Sequence, residues 1–110
     1  MVTKFRTIID PGTPEEKVED KTIIDVRLDN RSSVLAIRYR LDGIPSEMST
    51  LDRIGDTCWL DVDGYRTVRT ILVINDKEYD EAQVKEHYAE VQVLLDRERT
   101  EKLLEEIDDD

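Results

Sequence analysis

The chain has 110 residues, of which 38% are apolar and 39% charged, with a formal net charge of −11 at pH 7. That length fits one domain, and that apolar share supports a modest core, which excludes wholesale disorder. The negative charge disfavours direct binding to nucleic acid or to anionic membrane, because phosphate contacts need clustered Lys and Arg.

The charge is not spread evenly. Residues 1–77 hold 12 Lys/Arg against 14 Asp/Glu, whereas residues 78–110 hold 4 against 13. The front is almost neutral and the acidity belongs to the last third. Cys58 is the only cysteine, so an internal disulfide and a thiolate zinc site are excluded, and its apolar strand context predicts a small buried side chain. The opening residues, Met1 to Gly12, are too short and polar for a signal peptide. No apolar run approaches the roughly 20 residues that span a bilayer. A cytoplasmic protein is the default expectation.

In chain order, Lys4–Ile9 alternates between two faces, and Asp10-Pro-Gly-Thr-Pro14 then breaks the strand. Glu15–Asp20 reads as polar loop. The next run places Thr22, Ile24, Val26 and Leu28 on one face, opposite Ile23, Asp25, Arg27 and Asp29. After the turn chemistry of residues 29–33, a third run places Leu35, Ile37, Tyr39 and Leu41 inward. So short a polar link between two alternating runs predicts an antiparallel hairpin. Residues 44–56 read as irregular, with one helical turn over 46–53 capped by Ser46.

Thr57–Val62 predicts a strand in which Cys58, Leu60 and Val62 alternate with Trp59 and Asp61, and Trp59, on the opposite face, either packs under a helix or marks a contact patch. Asp63-Gly64 signals a two-residue hairpin turn, and Tyr65–Ile74 returns from it. Ile71–Ile74 is apolar on both faces, which suits a central strand covered on both sides. The stretch from Ile54 through Gly55-Asp56 and the 63–64 turn to Ile74 resembles the opening strands of SH3-like small barrels. The likeness rests on one Gly-Asp and one Asp-Gly over about 20 residues, and no family is assigned from it.

From about Glu78 the period becomes helical. Val84, Tyr88, Val91 and Leu95 form one stripe, flanked by His87 and Leu94. Leu103, Leu104 and Ile107 point roughly 100–200° away from Val84 on an ideal helix, beyond the polar stretch Asp96–Lys102. Three arrangements fit: a bend near Arg97–Thr100, apolar residues offered to a second chain, or a frayed end. The expected architecture is α+β. A mainly antiparallel sheet of about five strands, near 3–9, 22–29, 33–41, 57–62 and 65–74 and able to curl into a small barrel, precedes a long C-terminal helix from 78. Residues 1–95 would form the domain and 96–110 an acidic helical extension.

No catalytic, metal or cofactor motif stands out. His87 is the only histidine, no serine has a nucleophile-elbow setting, and His87 with Glu90 gives a metal only two ligands. Asp61-Val-Asp63-Gly64 lacks the alternating ligands and closing glutamate of a calcium loop. Arg6, Arg27, Arg38, Arg40 and Arg69 among nearby aspartates read as cross-strand ion pairs. The expectation is therefore a non-enzymatic, cofactor-free protein that binds a protein partner with a basic surface. Glu90, Glu98, Glu101 and Glu105 would steer the partner, and Leu103, Leu104, Ile107 and Trp59 would anchor it. Its sharpest form is a viral or mobile-element inhibitor whose carboxylates mimic nucleic-acid phosphates. The alternative is an assembly subunit, such as part of a viral particle, that self-associates through the C-terminal helix.

Overall fold

The computed structural model describes residues 2–31, 34–45 and 47–107, and the side chains of Arg31, Leu103, Glu105, Glu106 and Ile107 lie outside that description. Among the described residues an antiparallel sheet of seven strands precedes two consecutive helices. The strands are β1 (Thr3–Ile9), β2 (Lys17–Arg31), β3 (Val34–Leu41), β4 (Thr50–Arg53), β5 (Gly55–Asp61), β6 (Gly64–Ile74) and β7 (Lys77–Tyr79). The helices are α1 (Glu81–Glu86) and α2 (Tyr88–Ile107). The predicted α+β order holds, with two more strands than the alternation indicates.

The strands lie side by side in the order β4-β3-β2-β1-β6-β5, and β7 pairs with the far end of β6. The two end strands, β4 and β5, are one continuous stretch of chain interrupted only at Ile54. The Ile54 amide donates to the Leu35 carbonyl at 2.9 Å, and the Thr70 hydroxyl donates to the carbonyls of Arg53 (2.8 Å) and Gly55 (3.1 Å). The sheet is therefore curled into a half-barrel. Its concave side is filled by Phe5, Ile23, Val26, Leu35, Ile37 and Tyr39 from one half, and by Ile54, Leu72, Ile74 and Tyr79 from the other. The helices close this trough with Val84, Val91 and Leu95, each fully buried.

Several strand assignments shift for physical reasons. β2 begins at Lys17 rather than 22, because the turn after β1 lets the chain fold straight back and pair Ile9 with Lys17. Backbone pairing does not require the apolar side chains by which a strand is recognised in sequence. The face assignment within β2 is also corrected. Register shifts between Ile24 and Arg27, Asp25 adopts a left-handed φ of 54°, and the bulge puts Ile23 and Val26 in the core together. The helical turn expected over 46–53 is replaced by β4, which pairs with β3; Ser46 itself lies outside the described residues. Leu41, expected inward, is exposed at the strand end. Ile71–Ile74 is buried on both faces, as a central strand requires.

The helix does not begin at 78. Asn75 and Asp76 both take positive φ (51° and 67°), forming a two-residue turn that pairs Ile74 with Lys77 and sends Tyr79 into the core. Asp80 then caps α1, its carboxylate accepting from the Gln83 amide at 2.8 Å while the Gln83 side chain accepts from the Asp80 amide at 3.0 Å. The helical irregularity falls at His87, between α1 and α2, rather than near Arg97–Thr100, and α2 runs unbroken to Ile107.

Candidate interaction surface

On α2 the inward line is Val91, Leu95 and then Glu98, which is only 3% exposed. Glu98 accepts the Thr3 hydroxyl hydrogen bond, and burial holds its pKa above the usual carboxylate value despite that donor. A buried, internally bonded carboxylate does not face a partner, so Glu98 leaves the candidate set. The hydrophobic stripe visible in the sequence stops at Leu95, although the helix continues along the sheet. Next to it, Arg99 donates to the Val26 carbonyl at 2.9 Å and reaches the Asp25 carboxylate at 3.9 Å. The β2 bulge thus presents both a carbonyl and a carboxylate to the helix.

The opposite side of α2 is exposed. Glu90, Glu101 and Leu104 lie there with Val93, Arg97 and Thr100, and Val93 and Leu104 are each 56% exposed. The helical positions of these residues place them on one outward face. Leu103, Glu105 and Ile107 belong to the last turns of the same helix, but their side chains fall outside the described residues, as do Asp108–Asp110.

A second exposed region was half visible in the sequence. Trp59 is 56% exposed, which makes it a surface aromatic, and it is not alone. Leu60, Val62 and Tyr65 are exposed by 73%, 98% and 79%, and Cys58 is exposed as well. The expectation that Cys58 is a small buried side chain is corrected. β1 ends where Ile9 pairs with Val68, so beyond that point β5 and β6 continue as a two-stranded ribbon whose apolar side chains are left exposed. Period-two alternation identifies two faces, but it does not say whether anything lies over either one. The signal available was apolar residues on both faces of a hairpin in a chain with a single helical block to cover its sheet.

Charged side chains on the convex side form local pairs. Arg6 holds Asp20 in a bidentate contact at 2.7 and 3.0 Å and also binds Glu78. Arg69 pairs with Asp56 at 2.9 Å, and on the projecting end of the hairpin, on the other face, Arg66 pairs with Asp61 at 2.8 Å. Arg6 and Arg69 thus make the cross-strand pairs expected of them, as does Arg40 with Asp25 at 3.6 Å, whereas Arg27 reaches Asp25 of its own strand at 3.8 Å. An open groove of about 560 Å³ lies beside Gly55 and α1, lined by Asp56, Arg69, Thr70, Glu81 and Lys85 among others. Its charges also pair among themselves, as Arg69–Asp56 and Lys85–Glu81 (3.0 Å). His87 is half-buried at the helix junction, 3.6 Å from Glu90. Among the described residues no cluster of three or more His, Cys, Asp or Glu is placed to hold a metal, and no helix is long and apolar enough to cross a membrane. No protein-family model matches the chain, and no curated protein or solved structure matches it.

Proposed function

We propose that this is a non-enzymatic interaction protein that binds a partner with a basic surface through the outward face of its C-terminal helix, in the cytoplasm. The observation that supports this reading is the exposed side of α2, where Glu90 and Glu101 accompany the uncovered Val93 and Leu104. The last ten residues add six carboxylates against one lysine. Carboxylates along a helix set up a negative field that steers a basic partner, and the apolar side chains between them supply contact area that gains by leaving water. The partner is a protein. In its sharpest form the helix imitates the charge of a nucleic acid and occupies the site of a nuclease or DNA-binding protein, as a viral or mobile-element inhibitor would.

The test is retention of a partner from host lysate on the immobilised protein, with elution by rising salt. Wild type should release its partner steeply between roughly 0.05 and 0.5 M salt, where the Debye length falls from about 14 to 4 Å. A Glu90→Gln/Glu101→Gln/Leu104→Ala variant should retain little of it. Equal retention by that variant, or release that ignores salt, would defeat the reading.

A further inference from the structure

We infer that the projecting β5–β6 hairpin is a self-association surface, through which β5 pairs antiparallel with β5 of a second copy about a twofold axis at Cys58. This does not depend on the function proposed for α2.

The backbone supplies the first argument. The hairpin turn closes on the pair Asp61–Gly64. In an antiparallel ladder, alternate residues direct their peptide groups toward the partner strand. Asp61, Trp59, Thr57 and Gly55 therefore face β6, and Leu60, Cys58 and Asp56 direct their N–H and C=O groups outward. Open edges of this kind are normally blunted by Pro, by Lys or by shortness. The other end strand, β4, has four residues, but β5 has seven, with neither Pro nor Lys. Glu81 lies beside this strand at Gly55.

The second argument is area. Trp59, Leu60, Val62 and Tyr65 together leave on the order of 600 Å² exposed per copy, taking about 150–250 Å² for each aromatic side chain. A standard stable interface buries about 800 Å² on each partner, and edge pairing covers only the part of this surface that reaches the second copy's strand, which suits a dimer that dissociates on dilution.

Charge selects the occupant. The hairpin from Gly55 to Thr70 carries Asp56, Asp61 and Asp63 against Arg66 and Arg69, a net of −1 in a chain of −11. A strongly basic partner gains little here. Two copies meeting at this end keep their acidic helical thirds out of the contact and suffer little repulsion.

All three outward-facing residues find partners when the axis passes through Cys58. Around the twofold axis Cys58 opposes Cys58 of the second copy, Asp56 opposes Leu60, and Thr57 opposes Trp59. Such a contact is isologous and closes at two copies.

Light scattering on the full chain over a concentration series should show a dimer at micromolar protein, becoming a monomer on dilution. Leu60→Lys places a charge on the edge and should raise the dissociation constant at least tenfold, and Trp59→Ala should act in the same direction. Both residues are exposed, and unchanged circular dichroism will confirm that the variants fold. A short bifunctional maleimide should link Cys58 to Cys58, giving a covalent dimer that disappears in Cys58→Ser. Leu104→Ala should leave the dimer intact. A chain that stays monomeric at several hundred micromolar overturns the inference. So does a dimer indifferent to Leu60→Lys, one dissolved by Leu104→Ala, or one whose Cys58 thiols do not cross-link.

Discussion

Thr3 donates its hydroxyl to the Glu98 carboxylate, joining the first strand to the last helix across 95 positions of sequence. Both residues are buried, Thr3 at 0% and Glu98 at 3% exposure, where the next helical turn after Leu95 would ordinarily hold another aliphatic side chain. The contact fixes the position of α2 along the trough, at the cost of dehydrating a carboxylate. The hydroxyl offsets only part of that cost.

Glu98→Gln should therefore stabilise the protein at neutral pH. Burial raises the Glu98 pKa in the folded state above its unfolded value near 4.5. The penalty applies while the group is ionised in the fold, and wild type gains stability as pH falls through the folded pKa toward 4.5. The amide keeps the shape and an acceptor for Thr3. We expect a gain of about 0.5–1 kcal/mol at pH 7, shrinking as the solution is acidified, in urea denaturation at a series of pH values. A loss at pH 7 would show that the carboxylate is held favourably.

Asp20 should behave in the opposite sense. The bidentate hydrogen bond from Arg6, reinforced by its charge, lowers the folded pKa of Asp20 below the unfolded value near 3.8. Its stabilisation is present above that value and is lost as pH falls through the lowered folded pKa. The pair is partly open to solvent, so Asp20→Asn should cost only about 0.5–1 kcal/mol at pH 7 and almost nothing near pH 2. A cost that persisted to pH 2 would mean that packing, not charge, is lost.

How far the sequence disclosed the molecule depended on which signal each element used. β1, β3 and β6 carry Phe5, Leu35, Ile37 and Ile71–Ile74 in the expected phase, and Val84, Val91 and Leu95 mark the buried helical stripe. The rest relied on features that residue periodicity does not encode. Asp25 inverts the phase of β2 by taking a left-handed conformation that Asp tolerates but does not announce. Lys17–Lys21 is strand only because β1 lies beside it. Among the candidate residues, Glu90, Glu101, Leu104 and Trp59 are exposed while Glu98 is buried. Leu60, Val62 and Tyr65 had the pattern of core residues on a hairpin that the core does not reach.

Gly55 is required by its backbone more than by the space around it. Its φ of 130° is reserved for glycine, and a Cβ there would lie 1.9 Å from Glu81 Oε2, the end of a side chain able to swing away. Gly55→Ala should cost roughly 1–3 kcal/mol, most of it backbone strain at the junction of β4 and β5. Adding Glu81→Ala should recover only a minor part. Full recovery in the double variant would place the whole effect in the carboxylate clash.

Arg99 is the remaining tie between the acidic helix and the sheet. Its guanidinium donates to the Val26 carbonyl at 2.9 Å and lies near Asp25, the residue that makes the bulge, so the bulge and the helix stabilise each other. Arg99→Met preserves much of the aliphatic stem but leaves that carbonyl without its charged donor. A hydrogen bond of this kind contributes about 1.5–3 kcal/mol, and the loss should fall locally. Hydrogen exchange should accelerate over the last two turns of α2 before it changes at Val91 or Leu95, because those positions are held by the core. Uniform acceleration along α2 would show that the helix docks as one cooperative unit. Unchanged protection in the last turns would mean that the Thr3–Glu98 contact alone suffices to hold them.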